Sequence, residues 1–293
     1  VRDLSGWEIA RPRKVALPGV DMAGFRIRAD GLTELRAIPH PAVTVGVEFG
    51  DRAFDIHGAQ GRMRTGTLAA GLGFGAFRVR TDGVECVQIR LSPVVAYAVL
   101  GELTDGVLAL DDLWGNATSR LRERLHGARS WPERFALIES ELAARLHRGR
   151  RADPEVVWAW REIVGSRGRA RVGDLAARVG WSRGRLWSRF GAQLGLTPKR
   201  AAMLVRFDHA VHRLVRGDAP ARVAADGGYV DQSHLHHEIR AFTGTTPAVA
   251  ANEPWLAADA SAWPGSAFEP RPEAAVVLGR QVDRPHATRA GRE

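Results

Sequence analysis

The sequence predicts a two-domain α+β chain: a β-rich N-terminal domain with trailing helices, then an all-α domain holding two helix-turn-helix units. Three observations carry this. Apolar and polar residues alternate with period two through the first ninety residues, the period turns helical from Ser92, and two stretches of the C-terminal part superpose on each other.

The runs Phe25-Arg26-Ile27-Arg28, Val43 to Phe49, Phe77 to Arg80 and Val87 to Leu91 are separated by Gly, Pro and Asp, and read as strands of a small barrel or sandwich. Gly66 to Gly75 lacks the spacing of a phosphate-binding fingerprint and reads as a turn or strand pair. A first helix is predicted from Pro93 to Leu103. A second carries the stripe Trp114, Ala117, Leu121 and Leu125, with Asp111 or Asp112 as its cap. A third is capped by Ser130, has Pro132 early where a missing N–H costs nothing, and lines one face with Phe135, Ile138, Leu142 and Leu146.

The polar, Arg-rich segment His147 to Ala152 reads as a hinge, after which Asp153-Pro154 restarts a helix with a cap and an N1 proline. The domain expectation is therefore 1–148 for an effector or dimerisation domain and 153–252 for the helical domain. Residues 253–293 are rich in Ala, Pro and Arg without periodic apolar pattern, and read as a disordered tail.

With 293 residues, 45% hydrophobic and 26% charged, the chain has material for two cores. No run of about 18 apolar residues occurs and the first residues mix charges with apolar side chains, so the expected location is the cytoplasm. The single cysteine, Cys86, excludes an internal disulfide framework and a Cys-rich zinc site, and its apolar surroundings suit a buried structural thiol. The net charge of +9 is almost entirely arginine, since lysine occurs only at Lys14 and Lys199. Arginine forks match phosphate oxygens and guanine edges, which points to double-stranded DNA as the partner.

The internal repeat sharpens that reading. Asp174 to Phe190, continuing through Gly195 to Pro198, lies over Arg222 to Ile239, continuing through Gly244 to Pro247. Ala176, Ala177 and Gly180 match Ala224, Ala225 and Gly228 at an offset of 48. Leu186, Phe190, Gly195 and Pro198 match Leu235, Ile239, Gly244 and Pro247 at an offset of 49, so the second copy has one extra residue in its turn. Small alanines let two helices approach, glycine takes the special backbone angles of a tight turn, and Ser182 or Asp231 caps the second helix: these are the parts of a helix-turn-helix. Pro198 to Arg216 reads as one connecting helix that stops at Gly217.

Gly228-Tyr229-Val230-Asp231-Gln232-Ser233-His234-Leu235, followed by Phe242-Thr-Gly-Thr-Thr-Pro247, closely resembles the second half of the AraC-type DNA-binding domain. The first copy and the connecting helix fit the same family over about residues 155 to 252. The resemblance implies a DNA-binding transcriptional regulator with two helix-turn-helix motifs joined by a helix. The region from Trp7 to Trp114 is similar to the N-terminal domain of some such regulators, which implies a cupin-like barrel that senses a small-molecule effector or forms a homodimer. An alkyl-transfer activity joined to this domain in some DNA-repair proteins needs a zinc-thiolate cluster, which one cysteine does not supply.

With Leu186 and Phe190 inward, the first recognition helix presents Gly184, Ser188, Gly191 and Ala192, flanked by Arg185 and Trp187. Arg185 is its base- or phosphate-reading candidate, Arg183 and Arg189 are placed for phosphates, and Ser182 lies at the helix start. The second presents Ser233, His237, Arg240 and Ala241, with His236 on a flank and Gln232 a further DNA-contact candidate. The family pattern commonly carries Arg where this chain has Ser188 and His237, and the chain departs from it there. His234, His236 and His237 lack a third converging ligand for a metal site, and no cofactor-binding signature or catalytic constellation appears, so an enzyme is not expected. A cluster of three metal ligands inside the barrel would favour an enzyme instead, and a filled barrel would favour an architectural DNA binder without effector.

Overall fold

A computed structural model describes residues 6–58, 61–73, 76–102 and 106–263. Among these, the strands β1 (Trp7–Ala10), β2 (Val20–Ala37), β3 (Val43–Glu48), β4 (Phe54–Gly58), β5 (Gly61–Thr65), β6 (Thr67–Ala70), β7 (Phe77–Leu91) and β8 (Val107–Leu108) form one antiparallel sheet. The hydrogen-bonded order is β1-β2-β7-β3-β6-β8, with β4 on β7 and β5 on β4. One edge of β7 pairs with β2 almost throughout, whereas the other is divided between β3 at the Leu91 end and β4 around Val79. A register shift in β2 between Arg28 and Thr33 lies opposite that changeover, the kind of irregularity that bends a strand. The sheet curls around a cavity, and the described pairings end at β1 and β8 without a ladder joining them. The glycine-rich stretch contributes β6, as a strand-pair reading expects, while its Phe74 and Gly75 lie outside the described residues.

Period two sorts the side chains of β7. Val87, Ile89 and Leu91 enter the core shared with the helices, and Val84, Cys86, Gln88 and Arg90 take the opposite face and line the cavity. Cys86 is buried there and burial pushes its thiol well up, which leaves it an unreactive packing group.

Helices follow. Helix α1 (Pro93–Leu100) is capped by Ser92, whose Oγ accepts from Val95 N at 3.3 Å, and it stops at Gly101 with φ of 82°, short of the expected Leu103. The expected second helix is two, α2 (Leu110–Trp114) and α3 (Asn116–Gly127), broken at Gly115, whose φ of 55° no helix accommodates. Neither Asp111 nor Asp112 caps it: both sit inside the first turn, and the Asp111 carboxylate accepts from Thr67 Oγ1 at 2.8 Å. Helix α4 (Trp131–Arg148) begins as expected, with Ser130 Oγ accepting from Glu133 N and Phe135, Ile138 and Leu142 buried.

The C-terminal part consists of α5 (Pro154–Gly165), α6 (Val172–Arg178), α7 (Arg183–Leu194), α8 (Pro198–Val215), α9 (Pro220–Gly227), α10 (Gln232–Thr243), α11 (Pro247–Ala250) and α12 (Pro254–Ala262). Asp153 does not cap α5; its carboxylate turns instead to Arg189. The expected hinge is held close. A Cβ at Gly149 would lie 2.1 Å from the Ala98 carbonyl of α1, so only glycine lets the two backbones approach. One apolar core runs from β3 and β7 through α1 and α4 into α5, α7, α8 and α10.

The expected disordered tail is corrected at its start. Residues 254–262 are helical, and Leu256, Ala258, Asp259, Ala262 and Trp263 are buried against the cavity side of the sheet and α8. Its described buried residues, Leu256, Ala258, Asp259 and Ala262, include two small alanines and a charged group, which give little periodic apolar signal, and the buried carboxylate has a cationic partner in the sheet. Residues 264–293 of that expectation lie outside the described residues.

Candidate nucleic-acid interface and ligand cavity

The two repeated units share one backbone device. In the first, Gly180 turns the chain at φ of 70° and Trp181 N donates to Ala176 O at 3.0 Å. In the second, Gly228 does so at φ of 77° and Tyr229 N donates to the matching Ala224 O at 3.2 Å. Ser182 Oγ accepts from Arg185 N at 3.1 Å, and Asp231 Oδ1 accepts from His234 N at 2.7 Å, so each cap satisfies an otherwise open amide. Gly195 and Gly244 end α7 and α10 in the left-handed conformation, and Pro198 and Pro247 open the next helices. The extra residue of the second turn is Val230, which stands 88% exposed.

On α7, Leu186 and Phe190 are fully buried, and Ser182, Arg183, Gly184, Arg185, Trp187, Ser188, Arg189 and Ala192 are exposed. The Arg185 guanidinium lies over the Trp181 ring at 4.5 Å. Arg189 is not an open phosphate donor: its Nε and Nη2 donate to Asp153 at 2.7 and 2.8 Å. On α10, Leu235, Ile239 and Phe242 are buried, and Gln232, Ser233, His236, His237, Arg240 and Ala241 are exposed. Gln232 and His236 approach each other one turn apart, at 3.5 Å. His234 instead turns back, edge-on to Tyr229 at 5.3 Å.

Sequence reasoning missed what holds α10. Glu238, buried, receives both Arg206 Nε and Nη2 from α8 and the Tyr229 hydroxyl at 2.8 Å, with the Arg206 guanidinium over the Tyr229 ring. A charged residue beside the core positions of a recognition helix reads as solvated surface until α8 is placed next to it.

The second site missed is the cavity, about 400 Å³, walled by apolar residues such as Ile27, Phe54, Ile56, Leu68 and Val79. At one end stand His40, Gln88, Arg90 and Asp259. His40 Nε2 meets Thr44 Oγ1 at 2.8 Å, and burial and the neighbouring Arg90 charge push the imidazole well below its usual range, so it is neutral. Arg90 Nη2 donates to Asp259 Oδ1 at 2.7 Å and its guanidinium lies over Trp263 at 4.4 Å. Asp259 Oδ2 in turn faces His212 Nε2 of α8 at 3.3 Å. Burial opposes ionisation of Asp259, yet Arg90 and His212 hold it at about 2; burial likewise opposes charge on His212, yet Asp208 and Asp259 raise it to about 9. The polar end of the cavity is thereby wired to the helix that joins the two units. A separate contact reaches α10, where Arg36 of β2 donates to the Thr243 carbonyl at 2.9 Å and pairs with Glu253.

Among the described residues no group of three or more His, Cys, Asp or Glu side chains is placed to hold a metal ion, and no helix is long and apolar enough to cross a membrane. Residues 175–252 match the family described as a helix-turn-helix domain. Among solved structures the chain is similar to ToxT from Vibrio cholerae O395, at 9% identity over 80% of this chain and 97% of that one, with a TM-score of 0.47. A second crystal form of ToxT from Vibrio cholerae matches at 11% identity over 80% and 98%, with a TM-score of 0.48. Unsaturated fatty acid bound wild-type ToxT from Vibrio cholerae strain SCE256 matches at 8% identity over 82% and 97%, with a TM-score of 0.47. No curated protein matches the chain.

Proposed function

We propose that this chain, whose residues 175–252 form an AraC-type helix-turn-helix domain, is a cytoplasmic transcriptional regulator that seats α7 and α10 in successive major grooves and adjusts that seating when a small molecule fills the cavity. The observation that carries the reading is the pair of units with one turn, cap and stop geometry, joined by α8. At 18 residues and 1.5 Å per residue α8 is about 27 Å long, close to the groove repeat of about 34 Å. One chain thus spaces two recognition helices, and the reading requires neither a second copy nor a catalytic step.

Arg185 and Arg240 are the base-edge readers in this proposal, since each is long, exposed and near the centre of its helix face. Arg183, Gln232, Ser233, His236 and His237 serve phosphates or base edges, Trp187 packs against the sugar-phosphate flank, and Ser182 and Ser188 let α7 sit deep. Arg189 reaches a phosphate only by leaving Asp153. The cavity supports an effector over a purely architectural binder, because a filled barrel has no place for one.

Footprinting of genomic fragments with the full chain tests this. The expected result is a protected site spanning two successive major grooves, with affinity that falls steeply as salt rises. No preference over random duplex together with salt-independent binding would end the reading.

A further inference from the structure

The charged side chains that line the cavity are already balanced. Arg62 donates through Nε and Nη2 to Asp55 at 2.8 and 2.7 Å, Arg90 is paired with Asp259, and the remaining carboxylate oxygen of Asp259 faces His212. Behind them, His212 also meets Asp208 at 3.5 Å, so the cluster at the polar end holds two cations and two carboxylates. What is left over is hydrogen-bonding capacity without charge. Among the described residues, three buried atoms on lining residues have no partner: Arg90 Nε, a donor; Gln88 Oε1, an acceptor; and His40 Nδ1, which is either according to tautomer. An unpartnered polar atom in an apolar wall is costly, and a ligand that pairs it recovers that cost. A ligand bringing a full charge would instead add an uncompensated ion to a balanced, low-dielectric site.

We infer that the cavity selects an uncharged amphiphile: an apolar body that fits a volume of about 400 Å³, ending in one head that both donates and accepts, such as an alcohol, phenol or primary amide. This rests on the cavity being the effector site. The row Val84, Cys86, Gln88, Arg90 along β7 grades from apolar to polar and sets the ligand's direction, head toward α12. Leu256 and Asp259 of α12 complete the wall, so the segment after the helix-turn-helix domain supplies the carboxylate that removes Arg90 as a receptor for anions.

Calorimetric titration of the full chain with decanol and with decanoate at neutral pH tests the class. Decanol is expected to bind at least about tenfold more tightly, and in Asp259→Asn, where Arg90 loses its carboxylate, the preference is expected to swing toward decanoate. Decanoate binding the unaltered chain as well as decanol does, or an unchanged preference in the variant, overturns the uncharged-ligand inference and leaves the cavity as an effector site. Binding of neither probe overturns the effector site itself, and the inference with it.

Discussion

The two helix-turn-helix units have the same backbone and opposite anchors. Three residues after the buried leucine, the first unit has Arg189, which reaches outward to Asp153 at the start of α5, and the second has Glu238, buried against Arg206 and Tyr229. The first pair is wet: Arg189 is 52% exposed, and an exposed ion pair adds little to stability. The second is dry, with Glu238 at 3% and Arg206 at 18%, so its parts depend on one another. The difference teaches that a repeat conserves its turn geometry and not the way each copy is fastened. The first unit is fastened by packing of α1 on α7, the second by the salt bridge from α8 to α10 and by Arg36 of β2 on Thr243, while α12 holds the connecting helix α8.

The comparison breaks most visibly at Glu238. Glu238→Ala strands the Arg206 guanidinium and is expected to destabilise the chain by about 3–5 kcal/mol in urea unfolding. A loss as small as that of Asp153→Ala would mean the two anchors are equivalent. Next comes a pH effect confined to α12. Because His212, facing Asp208, Asp259, Arg90 and His40, is raised from 6.5 to about 9, its contribution is complete below 6.5 and is lost as pH rises through 9. The protection of the amides across 254–262, taken as the exchange rate relative to the base-catalysed rate of an open chain at the same pH, is therefore expected to fall over that interval, and His212→Asn to make that protection insensitive to it. Arg240→Ala is expected to weaken specific DNA binding by about 1–3 kcal/mol, measured by anisotropy at fixed salt. Undiminished affinity would shift base reading to the first unit. The caps sharpen the likeness: Ser182→Ala and Asp231→Ala should each cost about 0.5–2 kcal/mol of stability, and similar values would show that the turns behave alike. Asp153→Ala is the smallest, with a thermal midpoint indistinguishable from that of the unaltered chain.

Legibility followed sequence distance. Gly180, Ser182, Gly195 and their counterparts act within a few residues of themselves, so the helix-turn-helix units could be placed from the repeat alone. The face each recognition helix buries was equally readable, because Leu186 with Phe190 and Leu235 with Ile239 stand four apart. Asp153 read as a cap because that is its local option; its partner Arg189 lies 36 residues away. Arg90 and Asp259 are 169 residues apart and neither carries a local signal, so the cavity and α12 emerged only in three dimensions. Gln88 and Arg90 were legible only as the polar positions of the alternating run Val87 to Leu91, and alternation alone does not say which face of a strand meets a cavity.

Strand β7 gives that alternation a consequence for variation. Its residues 87, 89 and 91 belong to the core that carries the recognition helices, and residues 84, 86, 88 and 90 belong to the cavity. Residue 90 serves both cavity and fold, because Arg90 lines the cavity and also holds Asp259 of α12, whereas substitutions at residues 84, 86 and 88 alter the cavity wall while leaving the first set's packing in place. A single-residue deletion within β7 does the opposite. It hands Gln88 and Arg90 to the apolar core, because a one-residue slip moves every side chain to the other face. On this strand an exchange of one side chain acts locally, and a change of length acts on both faces at once.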